Sequence, residues 1–279
     1  MGLHDAHILQ ALLEFYVKPS ILSATHMPTY YFIFCKGDIM LTDRGEIPCC
    51  EQPLIHLEPW HTLHRLPDLN GCHCRTARVD APVVIPGWMM MPLRESFDVL
   101  SPDLYAMAGK AQEILYWDQN TRFCGVCGAP MKLHTDISKR CTNCGKEVWP
   151  ALATAIIVAI TRHEGEEILL VQSNKFKKDY LGLVAGFVET GETLEQCVHR
   201  EVMEETQLRI KNLRYFSSQP WPYPCGLMVG FTAEYESGEL RLQRSELNKG
   251  GWFSRDNLPA IPGKVSLARR LIDHWLDED

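Results

Sequence analysis

The sequence predicts an α+β chain: a small mixed β region and a cysteine-paired ribbon, followed by a mixed sheet with helices packed against it. Three observations carry this expectation. The segments ATAIIVAIT (Ala153–Thr161) and EILLVQ (Glu167–Gln172) are almost continuously apolar, as strands covered on both faces are. Thr193 followed by Gln196 reads as a capping box, and SLARRLIDHWL (Ser266–Leu276) is amphipathic at helical spacing, so helices accompany those strands. Two C-x2-C pairs, Cys124/Cys127 and Cys141/Cys144, mark a separate unit ahead of the sheet.

Composition narrows the function classes. At 279 residues the chain is long enough for two domains, each with its own core. A net charge of −7 argues against non-specific nucleic-acid binding as the main purpose. No apolar run approaches the roughly 20 residues needed to span a bilayer. The first twenty residues interrupt their apolar positions with acids and carry no basic leader, so no secretory signal is expected. Eleven cysteines without a small secreted scaffold point to a reducing compartment, and a cytoplasmic protein is expected.

In chain order, residues 1–98 suggest a mixed β domain. Tyr30–Cys35 and Pro82–Pro86 look like strands, with turns at Lys36-Gly37-Asp38 and Asn70-Gly71. Cys72 and Cys74 share one face of a strand, but no second ligand pair stands near them in sequence, and Cys49-Cys50 is a weaker candidate still. Residues 99–123 contain a linking helix, with Leu104, Met107, Ala108, Ala111, Ile114 and Leu115 at helical spacing. Residues 124–149 form the ribbon. Its cysteine pairs are each followed by a glycine, Gly128 and Gly145, as in a tight knuckle. Four thiolates in two knuckles close a tetrahedral zinc site with no position left for substrate, so the zinc is expected to be structural rather than the pairs redox disulfides. Residues 150–279 hold the main sheet, with further strands expected at Leu227–Glu236 and Glu239–Leu242.

The helix begun at Thr193 carries an anomaly. Leu194, Cys197 and Val198 make an apolar stripe, and the same stripe continues as Glu201, Glu204 and Glu205. Carboxylates facing a core repel one another and are costly to desolvate, and a hard divalent cation, magnesium or manganese, relieves both. A solvated helix end is the alternative.

The surrounding loop resembles the Nudix box, G-x5-E-x7-R-E-U-x-E-E-x-G-U, with Gly186, Glu192, Arg200, Glu201, Val202, Glu204, Glu205 and Leu208 in place and Gln207 where the box has glycine. That resemblance implies an α/β/α sandwich and hydrolysis of a nucleoside diphosphate linked to another group. Downstream, SSQPWPYPCGLM (Ser217–Met228) interleaves prolines with aromatics, which no ordinary central strand does, and suits a rigid loop against a flat ring. A polyproline partner-binding segment is the competing reading. The stretch resembles the SQPWPFPxS array of NADH pyrophosphatases, with Tyr223 for phenylalanine and Gly226 for the last serine. The preceding ribbon, Trp149-Pro150, Ala185–Glu189 and Ala268–Ile272 extend the similarity.

The resemblance implies cleavage of the NAD(H) pyrophosphate to nicotinamide mononucleotide and AMP, removal of NAD caps from RNA, and a homodimer. It implies metal ligands at Glu201, Glu204, Glu205, Glu246 and the Ala185 carbonyl. It implies substrate contacts at Arg94, Asp136, Phe187, Gln219, Pro220, Trp221, Pro222, Tyr223, Pro224, Cys225, Gly226 and Ala268, with Trp149 closing the pocket from the second subunit. Glu205 is the candidate general base, with Glu246 or another loop acid the alternative if Glu205 is a ligand, and Arg200 is expected to orient a box glutamate. Two other functions fit the same residues less well: a Nudix hydrolase for another dinucleotide or nucleoside-diphosphate sugar, and a zinc-ribbon RNA-binding module on an inactive fold.

Overall fold

A computed structural model describes residues 27–174 and 179–277. The expectation about a leader in the first twenty residues therefore falls outside the described part.

The N-terminal sheet is built from β1 (Thr29–Cys35), β2 (Asp38–Thr42), β3 (Cys49–Cys50), β4 (His64–Leu69), β5 (Cys72–Arg78) and β6 (Trp88–Pro92). Its order is β4-β5-β1-β2-β6, with β3 beside β1, and β1 runs parallel to β5. Alternation along β1 divides its side chains between two faces. Phe32 and Phe34 point into one cluster, and Tyr31 and Ile33 into another. Helix α1 (Pro102–Asn120) is capped by Ser101 and lays Ala108, Ala111, Ile114 and Leu115 onto the Phe32/Phe34 face.

Two expected strands are absent. Pro82–Pro86 is irregular, and the strand pairing with β2 is Trp88–Pro92. Prolines at both ends of that segment have no N–H to give a ladder. Glu239–Leu242 is likewise irregular. Gly238, at φ 110°, turns the chain away from the sheet, and the Arg241 and Gln243 amides donate to the Thr206 and Glu205 carbonyls instead. The segment thus satisfies open carbonyls at a helix end rather than a sheet edge.

The ribbon is a three-stranded meander of β7 (Met131–Thr135), β8 (Ser138–Cys141) and β9 (Glu147–Val148). It is moored by Lys139, whose buried ammonium donates to the Asp118 carboxylate and carbonyl, both at 2.7 Å, at the end of α1. Asp118 also faces His64 of β4 at 3.4 Å, so one carboxylate joins helix, ribbon and N-terminal sheet. Burial works against its charge, but the bonds from His64 and Lys139 outweigh it and hold the carboxyl at about 2.

The C-terminal sheet has the order β13-β14-β10-β11-β15, from β10 (Ala153–Arg162), β11 (Glu167–Ser173), β13 (Arg209–Trp221), β14 (Gly226–Ser237) and β15 (Leu247–Ser254), with β12 (Val184–Phe187) against β10. Both faces are covered. Ile156, Val158 and Ile160 meet Cys197, Val198 and Val202 of α2 (Leu194–Thr206), whereas Ile157 and Ala159 meet Leu271, Ile272 and Trp275 of α3 (Leu267–Asp277). This is the expected α/β/α sandwich, and the two-sided burial explains why β10 reads as one apolar run.

Ser217–Trp221 corrects the loop expectation in part. These residues are strand, paired with Gly226–Gly230, but β13 is the edge of the sheet, where proline is tolerated. Only residues 222–225 turn.

Candidate active site

Helix α2 starts with the full capping box: the Thr193 hydroxyl accepts from the Gln196 amide, and the Gln196 side chain accepts from the Thr193 amide. It ends at Gln207, in the left-handed region at φ 61°, with its amide donating to Met203. The position where the box has glycine thus keeps the glycine-like backbone, at a modest steric cost for a residue with a Cβ.

Between these ends the acids differ in their surroundings. The side chain of Glu201 is 12% exposed and that of Glu204 53%. Glu205, at 5%, is buried among core residues. Gly186 on β12 lies so close to Glu201 that a Cβ there would fall 1.9–2.4 Å from the carboxylate atoms. The absence of a side chain at Gly186 is therefore what admits the carboxylate. Burial raises the Glu201 carboxyl above its usual range; Arg200 opposes the rise, and Glu204 and Glu246 add to it. Glu246, far along the chain, is thereby placed beside the helix acids.

Arg200 organises the loop. Its Nε and Nη2 donate to Glu192 at 3.0 and 2.7 Å, its Nη1 to Glu201 at 2.9 Å and Glu204 at 3.2 Å, and its Nη2 also to the Phe187 carbonyl at 3.0 Å. Glu192 in turn accepts from the Glu189 amide, and Arg200 holds its carboxyl at about 2. The arginine thus orients box glutamates, as expected for a planar, bidentate donor.

These acids have the chemistry for a hard divalent cation: carboxylate oxygens on one helix face, a further acid from a loop, and enough mutual repulsion for a cation to relieve. Glu201, Glu204, Glu205 and Glu246 would hold it, with the carbonyl of Ala185, an exposed residue of β12, as a further donor. Their oxygens are not drawn into one tight set, and Arg200 holds Glu201 and Glu204.

Beyond β12 opens a cavity of about 850 Å³. Of the expected contacts, Arg94, Trp221 and Ala268 line it, together with Ala185, whose carbonyl was expected as a metal ligand. Arg94 lies over the Trp221 ring at 5.1 Å. The rest of the proline–aromatic stretch shapes rather than lines it. The Gln219 amide donates to the Val265 carbonyl, fixing a lining loop, while Pro222 packs on Gly109 and Tyr223 faces α1. Pro220, Pro224 and Cys225 are not among the lining residues, and a Cβ at Gly226 would come within 3.1 Å of the Trp221 carbonyl. Phe187 and Trp149 stand outside, 66% and 56% exposed. Asp136 is not brought to this cavity; it lines a smaller cleft with Arg65 and Lys110. Sequence reasoning missed Tyr180, Met228 and the Ile261–Val265 loop. Only Pro262-Gly263 marked a turn there, and nothing marked it as a wall.

The ribbon cysteines fit zinc closely. Their sulfurs all lie within 4.8 Å, with Cys124–Cys144 at 3.6 Å and Cys127–Cys141 at 3.4 Å, near the ~3.8 Å edge of a tetrahedral zinc–thiolate site. Backbone amides of Val126, Asn143 and Cys144 point at sulfur. The structure also supplies Cys72 with a neighbour that its sequence context lacks: Cys49 Sγ lies 4.0 Å away across the sheet. No third ligand atom closes that pair into a site among the described residues.

A two-faced sandwich with carboxylates and an arginine clamp on its loop–helix unit defines a Nudix hydrolase, and residues 151–275 match the NUDIX domain family. Residues 28–117 match the NADH pyrophosphatase-like rudimentary NUDIX domain, and residues 119–148 the NADH pyrophosphatase zinc ribbon domain. The chain is 43% identical over 199 residues to a NAD-capped RNA hydrolase NudC of Pseudomonas aeruginosa, covering 71% of each chain. It is 38% identical over 255 residues to one from Deinococcus radiodurans, covering 88% of this chain and 87% of that one. A third, from Pectobacterium carotovorum, is 48% identical over 171 residues, covering 61% and 65%. With all three of its parts matched in order, the chain belongs to the NADH pyrophosphatase family of Nudix hydrolases.

Proposed function

We propose that the protein hydrolyses the pyrophosphate of NAD(H), giving nicotinamide mononucleotide and AMP, and that it removes NAD caps from RNA 5′ ends. One observation carries this reading. The cavity lined by Arg94 and Trp221 also takes in Ala185 of β12, next in sequence to the glycine that seats Glu201. In this reading a flat ring lies in the cavity on the α3 side of β12, and its phosphates reach past β12 to the acids on the α2 side.

Glu201, Glu204, Glu205 and Glu246 would hold magnesium or manganese, with the Ala185 carbonyl. When bound, the cation neutralises phosphoanhydride oxygens and makes water a better nucleophile near neutral pH. The chain's own groups do the rest. Arg200 fixes Glu201 and the Glu192 loop, and Arg94 offers a cation at the cavity rim. Glu205, one turn from Glu201, accepts a proton from the attacking water. Trp149 and Phe187, large and exposed, support a homodimer in which Trp149 covers the nicotinamide on Phe187 of the other subunit. Eleven cysteines support a cytoplasmic site of action.

Incubation with NADH and magnesium or manganese is expected to release AMP, and NAD-capped RNA is expected to yield 5′-monophosphate RNA. Binding of RNA with no hydrolysis of either substrate would overturn the proposal. Gly226 in place of a serine favours one second reading, another dinucleotide or a nucleoside-diphosphate sugar, which the same assay with those substrates separates.

A further inference from the structure

The substrate hairpin is fastened to the N-terminal domain, not to its own sheet alone. Tyr223 packs against the cluster that contains Phe32, Phe34 and Ile114. Its hydroxyl meets that of Tyr105 on α1 at 2.6 Å, at the short end for an O–H···O bond. Burial, then the neighbouring hydroxyl, pushes Tyr223 far above the usual tyrosine range, so both groups stay neutral and one donates to the other. Beside this pair, Pro222 sits against Gly109, where a Cβ would come within 3.1 Å of the ring. A glycine in a helix interior costs stability relative to alanine, and here it makes room for the hairpin. The Tyr105 ring is braced edge-on by Phe97 at 5.3 Å, and the Tyr223 ring meets Trp221 at 5.1 Å. Arg94, from the loop before α1, lies over both Trp221 and Tyr223 and makes no ion pair among the described residues.

We propose that the Tyr105–Tyr223 hydroxyl pair is a positioning device, holding the hairpin on α1 so that Trp221 and Arg94 meet at the rim of the dinucleotide cavity. The N-terminal domain then serves hydrolysis by fixing a binding wall. Tyr105, which does not line the cavity, acts through Tyr223 on Trp221. The inference rests on the proposed dinucleotide reading for its kinetic consequence, but not for the docking itself.

The wall is remote from the phosphorus, so loosening it should weaken ground-state and transition-state binding alike. Tyr105→Phe and Tyr223→Phe are each expected to raise KM for NADH about 3- to 10-fold, with kcat within about twofold of wild type. Either change removes the same bond, so the double variant should be no worse than the worse single. Additive effects, a fall in kcat at unchanged KM, or wild-type kinetics throughout would overturn the proposal. Hydrogen exchange on the zinc-loaded protein, with no magnesium or manganese added, decides the docking independently of activity. Amides of residues 221–228 should exchange faster in Tyr105→Phe while those of α2 do not change, and unaltered exchange in the hairpin counts against it. If wild type released no AMP from NADH, the dinucleotide reading would fail, and the exchange result would still decide whether the hydroxyls hold the hairpin.

Discussion

Replacing Gly186 with alanine tests the whole acid site with one methyl group. The added Cβ would lie 1.9 Å from Glu201 Cδ and 2.0 and 2.4 Å from its oxygens. Ordinary contact begins near 3.4 Å, so the carboxylate must retreat by about 1.5 Å. That carboxylate is the free end of a flexible side chain, so the fold can yield, and stability should fall by no more than about 1 kcal/mol. Function cannot yield so easily. The same oxygens meet Arg200 and are the proposed cation ligands, and a misplacement of about 1 Å can cost about 100-fold in rate, or ~2.7 kcal/mol of transition-state stabilisation. The expected outcome is a kcat for NADH lowered about 100-fold, a higher magnesium requirement, and a KM and melting midpoint close to wild type. Steady-state AMP release across a magnesium titration reads all but the last. A Gly186→Ala enzyme with wild-type kcat and magnesium dependence would show that Glu201 does not work from its present position.

Three further outcomes are expected. Glu205→Gln keeps shape and removes charge, so kcat should fall by about 10²- to 10⁴-fold with the circular dichroism spectrum intact; normal turnover would remove Glu205 from its role as base. Asp118 has its folded pKa depressed to about 2, below its unfolded value, so its stabilising contribution is complete above about pH 4 and is lost as pH falls through about 2. The difference amounts to about 2 kcal/mol, and denaturant titrations of wild type and Asp118→Asn should converge over that acid window. Cys141→Ser should lose the ribbon's zinc by elemental analysis and lower the melting midpoint, because the displaced ribbon also withdraws Lys139 from Asp118.

The chain itself set out the catalytic loop because its signals are local. The capping box at Thr193 and Gln196, the apolar stripe through Cys197 and Val198, and the two-knuckle cysteine spacing each depend on residues within one or two turns of backbone. Such patterns survive in one dimension. Where sequence reading failed, either a long-range contact or an overlooked local signal was the cause. Glu239–Leu242 alternates like a strand, yet its amides are taken by the end of α2. Pro82–Pro86 has strand-like valine and isoleucine, but its prolines leave the ladder to residues 88–92.

The cavity shows the same division. The resemblance pointed to Trp221, Arg94 and Ala268, but folding alone brought them onto one wall and added Tyr180, Met228 and the loop at 261–265. It also turned Pro222 and Tyr223 away from the cavity and onto α1. What the sequence determined by itself is the loop that resembles the Nudix box, with its acids and arginine, and the paired thiolate spacing of a closed zinc site. What the tertiary structure decided is which side chains line the cavity and which hold the wall behind it. That choice depends on packing between segments more than a hundred residues apart, such as Tyr105 against Tyr223, and no local pattern of backbone or hydropathy encodes it.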